Sequence, residues 1–352
     1  MVALPRVLGL DIGTRVVKLV EVHRSRKQLQ LAYVGCCPLP DGVIVEKEIR
    51  RPEELAEAIA SLYQNSKSKT TDVCMAVAGK SVITKQITLN SMSDQELEKL
   101  IMVEAEPYIP FPMEEVNLDF VILGDSPERP GFMEVLLVAV KKDFLTQYLD
   151  VVTSVNLTPV VVDVDCYALE VMFDYCYPDI EDETVALINV GASLTNINIL
   201  ISGTSHFVRD LPLGGELISQ DIIRFFNVNF MQAENIKRGA ALGNISPTNL
   251  QSLFARHVDL LVSELKKTLD FFAVNVSRKS VQSIFLSGGG AATHGFSAAL
   301  ESETGLPVYM VDPFRLASVD PKQFDSDYLT RIGPSMAIAF GLAMRHERDK
   351  LG

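Results

Sequence analysis

Two segments of the chain, almost half its length apart, share one pattern of residues. Each reads as a strand, a turn that begins with glycine, and a second strand of alternating polarity, at 7–22 and at 185–200. Aligning Gly13 with Gly191 gives an offset of 178 residues (191 − 13) in a chain of 352. A repeat of this length indicates two related units, and one hydrophobic core rarely organises so long a chain. We therefore predict two similar lobes that face each other.

Each repeated turn has the composition of a phosphate site. Successive backbone N–H groups of a glycine turn, with a hydroxyl nearby, can cradle an anion. In the first hairpin Asp11 precedes the turn, where a carboxylate can hold a metal ion through water. Lys18 would reach the same phosphates as a point charge. Taken alone, each hairpin is more simply an ordinary β-hairpin, but their pairing favours a phosphate site.

A third glycine-rich element follows a buried-type strand late in the chain. Its glycines are Gly288, Gly289 and Gly290, and they let the backbone approach a flat ligand or a phosphate without a Cβ in the way. Thr293 stands where the motif G-x-G-x-x-G needs its third glycine, which disfavours a dinucleotide fold. The stretch 78–81 (AGKS) resembles the end of a P-loop, but Cys74 occupies the first required glycine position, so we do not expect a Walker site.

Two helices are predicted between the second hairpin and the triple glycine. The pair Gly214-Gly215 opens the first, and the second carries Glu234 and Lys237. Because these two residues are three positions apart, they share one helix face and could contact a ribose and an adenine edge. A solvated ion pair within the helix is the commoner role for such a pair, and it stays open here.

Composition excludes several classes of protein. The net charge of −13, from 45 acidic and 32 basic residues, repels polyanions, so nucleic-acid binding is not expected. The longest apolar runs, at 135–140 and 333–344, are too short to span a membrane, and the first residues form no secretion signal. The five cysteines include the neighbours Cys36 and Cys37 and no C-x-x-C motif, which indicates reduced cytoplasmic thiols and no structural zinc.

The order of these elements resembles the actin-like ATPases, which combine two phosphate hairpins, an A-E-x-x-K helix and a late S-G-G-G turn. Two further segments resemble FtsA and, more specifically, the PilM family of type IV pilus proteins. They are 104–120 (EAEPYIPFPMEEVNLDF) and 337–345 (AIAFGLAMR). The resemblance implies an α/β, actin-like (ribonuclease H-like) fold of two lobes, with an FtsA-type 1C insertion in the first lobe.

The resemblance also divides the chain into subdomains. The predicted ranges are 1–80 for 1A, 81–157 for the inserted 1C, 158–182 for a return to 1A and the interlobe connection, 183–215 for 2A, 216–280 for 2B, 281–332 for 2A again, and 333–352 for a C-terminal helix that returns to 1A. Local signals support a separate insertion. Ser93 and Glu96 have the spacing of a capping box, and Pro107 ends the helix that follows.

The nucleotide contacts are likewise implied by the resemblance, with ATP or ADP as the ligand. Asp11 would orient Mg²⁺ through water. The residues that would contact the phosphates are Gly13, Thr14 and Arg15 through backbone N–H groups, Lys18 through its charge, and Gly191, Ser193 and Thr195 as the second loop. The residues that would lie along the ribose and base are Gly215, Glu234 and Lys237, with Gly288, Gly289 and Gly290 beneath the adenosine.

One position departs from the pattern of the resemblance and bears on catalysis. Asn189 aligns with Asp11 and occupies the place where actin-like ATPases usually carry an aspartate. An amide cannot act as a general base and adds no negative charge around a metal ion. Asp165 is the remaining candidate to position a water molecule, although it could equally cap a helix. We therefore expect nucleotide binding with slow or negligible hydrolysis, at most a weak ATPase.

The resemblance implies a cytoplasmic adaptor of the type IV pilus inner-membrane platform. It would bind the cytoplasmic N-terminal peptide of PilN in a groove between 1A and 1C, and so reach the membrane only indirectly. Other platform proteins, the assembly and retraction ATPases, and a second copy of the chain stay open as further partners. The charged end at 345–352 has no apolar face, whereas FtsA ends in an amphipathic membrane helix, which favours PilM.

Two alternatives from other classes stay open. The first is an FtsA-like cytoskeletal ATPase that forms filaments. The second, less favoured, is a small-molecule kinase of the same fold. A kinase needs a carboxylate base in the cleft, and both the amide of Asn189 and the inserted subdomain argue against it.

Overall fold

The computed structural model describes residues 6–24, 29–126, 129–180, 182–240, 247–277 and 279–345. The strands are β1 (Leu8–Ile12), β2 (Val16–Arg24), β3 (Leu29–Pro38), β4 (Ile44–Val45), β5 (Glu48–Ile49), β6 (Asp72–Val77), β7 (Val82–Asn90), β8 (Val116–Asp125), β9 (Phe132–Lys141), β10 (Thr158–Val164), β11 (Thr184–Val190), β12 (Thr195–Ile201), β13 (Thr204–Leu211), β14 (Ser283–Ser287) and β15 (Val308–Met310). The helices are α1 (Pro52–Ser66), α2 (Asp94–Ala105), α3 (Lys142–Ser154), α4 (Asp165–Cys176), α5 (Glu216–Phe226), α6 (Phe230–Lys237), α7 (Pro247–Asn275), α8 (Phe296–Thr304), α9 (Ser326–Ile332) and α10 (Ala337–Met344).

Two five-stranded sheets of the same topology form the two lobes. The first has the order β3-β2-β1-β6-β10, and the second has the order β13-β12-β11-β14-β15. In each, the central strand is antiparallel to its hairpin partner and parallel to the neighbour on its other side. The register also repeats, since Asp11 pairs with Lys18 in one hairpin and Asn189 with Asn196 in the other. The predicted duplication is therefore present strand for strand.

A separate three-stranded sheet, β7-β9-β8, is inserted in the first lobe. Helix α2 covers one face of this sheet and buries Leu97, Ile101 and Ala105 against it. Ser93 and Glu96 form the predicted capping box at the start of α2. The predicted range of the insertion, 81–157, also contains α3, whose apolar face packs in the core of the first lobe against α1 and β10. The inserted sheet itself ends at β9.

Helix α10 lies between the two lobes and is buried on all sides. Its core cluster contains Val20 of the first sheet and Phe285 of the second. Two glycines permit this packing, because a Cβ at Gly9 would overlap a backbone carbonyl of α10, and a Cβ at Gly341 would overlap the carbonyl of Ala168 in α4.

Most of the predicted charged end, 346–352, lies outside the described residues. No helix in the described ranges is long and apolar enough to cross a membrane.

Helix α4 carries a carboxyl group that should make stability depend on pH. Burial, with the charge of Asp174, raises the pKa of Glu170 to about 8, although hydrogen bonds from Asn198 and from the Ser205 backbone oppose the shift. The folded state therefore binds a proton that the unfolded chain has released, so stability falls as the pH rises from the ordinary glutamate pKa of 4.5 through about 8.

Replacing Glu170 by glutamine, which has the same shape and no charge, tests this dependence. We expect Glu170→Gln to unfold at a higher temperature than the wild type at about pH 9 and at nearly the same temperature at about pH 4.5. Thermal unfolding of both proteins at both pH values is the measurement. Equal unfolding temperatures at the higher pH would show that the buried carboxyl group costs nothing when it is ionised.

Candidate functional site

A cleft of about 270 Å³ separates the two lobes, and most of the predicted site residues line it. Those that do are Asp11, Gly13, Thr14, Arg15, Lys18, Asp165, Asn189, Gly191, Ser193, Glu234, Lys237, Gly288, Gly289 and Gly290. Two predicted residues, Thr195 and Gly215, are not on its surface. The volume is near the lower end of the range for small-molecule sites.

The two glycine turns have the same geometry and meet across the cleft. The N–H of Gly13 donates to the carbonyl of Val16 at 3.2 Å, and the N–H of Gly191 donates to the carbonyl of Leu194 at 2.9 Å. The hydroxyl groups of Thr14 and Ser193 form a hydrogen bond of 2.8 Å between the lobes. A phosphate chain bound to both turns would take the place of this direct contact.

The triple glycine forms one wall of the cleft, and its three members have different roles. Gly288 has a φ of +87°, which an L side chain rarely adopts, and a Cβ there would overlap the carbonyl of Val190. A Cβ at Gly290 would lie 2.5 Å from Val190 Cγ1. At Gly289 a Cβ would meet no atom of the described chain within 4 Å beyond its sequence neighbours. Fold geometry thus accounts for two of the glycines, and open space lies next to the third.

Glu234 and Lys237 form an ion pair within α6, but the pair is not solvated. Lys237 is only 4% exposed. Its Nζ donates to Glu234 Oε1 at 2.5 Å, to Ser219 Oγ at 2.9 Å and to the Gly215 carbonyl at 3.3 Å. Burial lowers the pKa of Lys237, and Glu234 opposes this shift. Glu234 and Lys237 thus form the ion pair of the alternative interpretation, but the pair is buried and lines the cleft.

Thr195 and Gly215 stand behind the cleft surface. The Thr195 hydroxyl is fully buried and donates to the carbonyl of Leu213 at 2.8 Å. The N–H of Gly215 donates to the Gly191 carbonyl at 2.9 Å, and a Cβ on Gly215 would lie 3.0 Å from Gly290 Cα. Both residues therefore support the second glycine turn and the triple glycine from behind.

Arg15 contributes a side chain that the sequence did not predict to have a role. Its guanidinium pairs with Asp41 at 2.9 Å and, across the cleft, with Glu216 at 2.6 Å. It also stacks on Phe230 of the second lobe, 5.1 Å from the ring centre. Its Nε is buried and has no hydrogen-bond partner among the described residues. Arg15 therefore joins the two lobes at the cleft.

Lys47 is a cleft residue that sequence reasoning missed. It lies at the tip of the β4–β5 hairpin, where Glu46 and Lys47 both have positive φ, +50° and +69°. Such two-residue turns usually contain Asn or Gly, and neither residue is present there to indicate a turn. The Lys47 ammonium lies 3.4 Å from Asp165 Oδ2. Asp165 is the first residue of α4 and Val164 occupies the N-cap position, so Asp165 serves as the partner of Lys47 and not as the cap residue.

Asn189 belongs to a polar network that links the lobes. Its Nδ2 donates to Asn196 Oδ1 at 3.0 Å, and Asn196 Nδ2 donates to Asp210 Oδ1 at 2.7 Å. The other oxygen of Asp210 accepts from the Gly79 N–H of the first lobe at 3.0 Å. Gly79 lies in the stretch that resembles a P-loop, whose Lys80 is exposed and pairs with Glu46.

The side chains present do not fit a directly coordinated divalent ion. Asp11 is already paired with Lys18 at 2.6 Å, Asp165 is paired with Lys47, and Asn189 carries no charge. In the described part of the chain no three His, Cys, Asp or Glu residues gather as they would around a metal. Mg²⁺ normally requires octahedral oxygen ligands and keeps several waters.

Comparisons with known proteins bear on the family and the fold of the chain. The family model described as Type IV pilus assembly protein PilM matches residues 9–347. A chain in a solved PilM-PilN type IV pilus biogenesis complex is 31% identical, with a TM-score of 0.86 over 97% of this chain and 99% of that chain. The ethanolamine utilization protein EutJ from Carboxydothermus hydrogenoformans is 14% identical, with a TM-score of 0.58 over 97% of this chain and 90% of its own. The cell division protein FtsA of Borreliella burgdorferi is 20% identical over 389 aligned positions, which cover 98% of this chain and 92% of FtsA.

These matches confirm the predicted α/β, two-lobed actin-like fold. EutJ supports the fold alone, because its sequence identity is low. The family model covers nearly all of the sequence, and the solved relative exceeds 30% identity over almost the whole length of both chains. The chain therefore belongs to the family of the type IV pilus assembly protein PilM.

Proposed function

We propose that this chain is an ATP- or ADP-binding adaptor of the type IV pilus inner-membrane platform. The proposal that the chain binds a nucleotide rests on the pair of equivalent glycine turns. These turns face each other across a cleft that the triple glycine also lines. Turns of this kind present backbone N–H groups to phosphates. Calorimetric titration of ATP and of ADP into the full chain tests it. Binding of one nucleotide per chain supports the proposal, and no binding of either contradicts it.

We place hydrolysis at a negligible rate, because each carboxylate that lines the described part of the cleft is ion-paired: Asp11, Asp165, Glu216 and Glu234. Asn189 is an amide, and Asp165 is ion-paired with Lys47. The same two facts argue against the small-molecule kinase alternative. The test is phosphate release from ATP by the purified chain, with and without added small acceptors. Turnover of many ATP molecules per second without a partner would contradict the assignment.

The proposed partner is the cytoplasmic N-terminal peptide of PilN, which would hold the chain at the inner membrane on its cytoplasmic side. The relative in the solved PilM-PilN complex supports this partner. Helix α2 of the insertion exposes three apolar side chains, Leu100, Met102 and Val103. Leu100 and Val103 are three positions apart and so share one side of the helix. Neighbouring exposed apolar side chains mark interaction sites, so we assign this side of α2 to the peptide, in place of the groove between 1A and 1C that the resemblance implies.

Val103 provides the variant that tests this surface, since 68% of it is exposed. Val103→Gln should weaken the binding of a synthetic PilN N-terminal peptide about tenfold or more, because a buried valine contact contributes about 1.5–3 kcal/mol. Fluorescence anisotropy with the labelled peptide measures the effect. The matched control is Val274→Gln on α7 in the second lobe, where the valine is 82% exposed. Equal affinities for both variants and the wild type would exclude the α2 face.

An FtsA-like filament is the second candidate, favoured by the FtsA relative that matches 98% of the chain. Both functions require the same nucleotide cleft, and they differ in whether copies of the chain assemble end to end. Electron microscopy with ATP and with ADP separates them. Protofilaments would favour the cytoskeletal function, whereas dispersed particles under all conditions would favour the adaptor.

A further inference from the structure

We infer that this chain binds nucleotide without a divalent cation, because the ammonium groups of Lys18 and Lys47 supply the positive charge that a metal ion would otherwise bring to the phosphates. The inference rests on the proposed nucleotide binding and adds the ionic requirement of that binding. It replaces the Mg²⁺ that the sequence predicted beside Asp11.

The two acidic side chains nearest to the expected phosphate position each already have a cationic partner. Lys18 Nζ lies 2.6 Å from Asp11 Oδ2, and Lys47 Nζ lies 3.4 Å from Asp165 Oδ2. Asn189, the third position that could face a metal, is neutral, and its Oδ1 accepts a hydrogen bond from Ser287 at 3.3 Å. A divalent ion would have to displace an ammonium group to gain a carboxylate ligand. A phosphate can accept directly from either ammonium as a charge-assisted hydrogen bond.

The structure holds Lys47 firmly in this position. Its side chain is 14% exposed although it comes from the tip of a hairpin. Its carbonyl accepts a hydrogen bond of 2.7 Å from the hydroxyl of Tyr148, a fully buried residue of α3 whose ring packs 5.0 Å from Phe144. Two consecutive non-glycine residues with positive φ are costly and persist only where the surroundings enforce them.

Lys47 is a permanent cation in this setting. Burial lowers its pKa, but the negative charge of Asp165, with smaller contributions from Tyr148, Asp11 and Asp210, leaves the pKa above the ordinary lysine value. The ammonium therefore remains protonated at neutral pH. It has three N–H donors, so it can donate to a phosphate while it also pairs with Asp165.

The net charge of the cleft lining favours an anionic ligand that binds without a metal ion. Among the described residues, six cationic and four acidic side chains line the cleft, a net charge of +2, in a chain of net charge −13. The cationic residues are Arg15, Lys18, Lys47, Lys237, Arg238 and Arg331. A cleft that needed Mg²⁺ would be expected to have unpaired carboxylates facing the phosphates, and this cleft has paired ones.

The experiment is calorimetric titration of ATP into the full-length chain, freed of metal, once in excess EDTA and once in excess MgCl₂. We expect the wild-type dissociation constants in the two conditions to agree within about threefold. Lys47→Met should bind about tenfold or more weakly in EDTA, the loss of one charge-assisted contact. Mg²⁺ should restore part of that affinity, because Asp165 is then free to hold the ion through water.

Two controls keep the outcomes separate. Lys80→Met removes an exposed lysine that pairs with Glu46, the other residue of the same turn, and should change nothing. Lys47→Arg keeps the charge, and it should bind in EDTA even if Lys47→Met fails to fold. Wild-type binding that needs Mg²⁺ would overturn this inference and leave the proposed function intact. Absence of binding in both conditions would overturn the proposed function, and unchanged binding of a folded Lys47→Met in EDTA would overturn the role of Lys47.

Discussion

Leucine in place of Gly289 is expected to abolish detectable nucleotide binding while the protein stays folded. Gly289 lines the cleft, and a Cβ there would meet no atom of the described chain within 4 Å beyond its sequence neighbours. Its φ is not in the left-handed region, so a side chain causes no backbone strain. The leucine side chain would occupy space that the nucleotide needs. Titration of ATP, together with thermal unfolding of the variant, measures both parts of the expectation.

Two comparisons make the Gly289 experiment specific. Ala298→Leu, at an exposed position of α8, should leave both nucleotide affinity and stability unchanged. Gly288→Ala should instead lower stability, because its φ of +87° and the neighbouring Val190 carbonyl leave no room for a methyl group. Wild-type affinity in Gly289→Leu would mean that the nucleotide does not lie against the triple glycine.

Valine in place of Gly341 is expected to cause the largest loss of stability of any single change discussed for this chain. The position lies in α10, and a Cβ there would overlap the carbonyl of Ala168 in α4. Side chains added to a packed core commonly cost up to about 3 kcal/mol, and more when backbone must move. Because α10 shares one core cluster with strands of both lobes, we expect the loss to reach about 3 kcal/mol or more and to impair nucleotide binding as well.

Urea unfolding followed by circular dichroism measures the effect of Gly341→Val. The control is Ala298→Val, which introduces the same β-branched residue on an exposed helix position and should cost only about 0.7 kcal/mol or less. A Gly341→Val protein with the wild-type urea midpoint would contradict the close packing of α10 against α4.

The repeated hairpins and the triple glycine could be predicted because their signals are local. A glycine turn between two strands is encoded within about a dozen residues, and the duplication shows it twice. The structure accordingly places Gly13 and Gly191 in turns with matching hydrogen bonds. The prediction of Glu234 and Lys237 on one helix face rested on the same short-range periodicity.

The residues that the sequence did not reveal act over long separations. Lys47 meets Asp165 across 118 positions, and Arg15 meets Glu216 from the other lobe. Nothing in the vicinity of either residue in the sequence encodes such contacts, since they depend on how the sheets pack. The turn at Glu46 and Lys47 also lacks the glycine or asparagine that marks most turns of its kind.

Helix α3 shows why the boundary of the insertion is hard to predict from the sequence. Helix α3 is amphipathic and follows directly after β9, so its pattern fits either the inserted sheet or the first lobe. Its apolar face, which includes Phe144 and Val152, completes the core of the first lobe beside α1. Amphipathicity shows that a helix buries one face, but it does not show against which sheet.

The central claim is that two equivalent turns from different lobes hold one nucleotide. Hydrogen exchange of the full chain with and without ATP tests this claim most directly. We predict that ATP slows exchange at both turns, 13–16 and 191–194, and at the triple glycine, 288–290, in parallel and with the same dependence on ATP concentration. Protection confined to one lobe, or no change at any of the three segments, would contradict the claim.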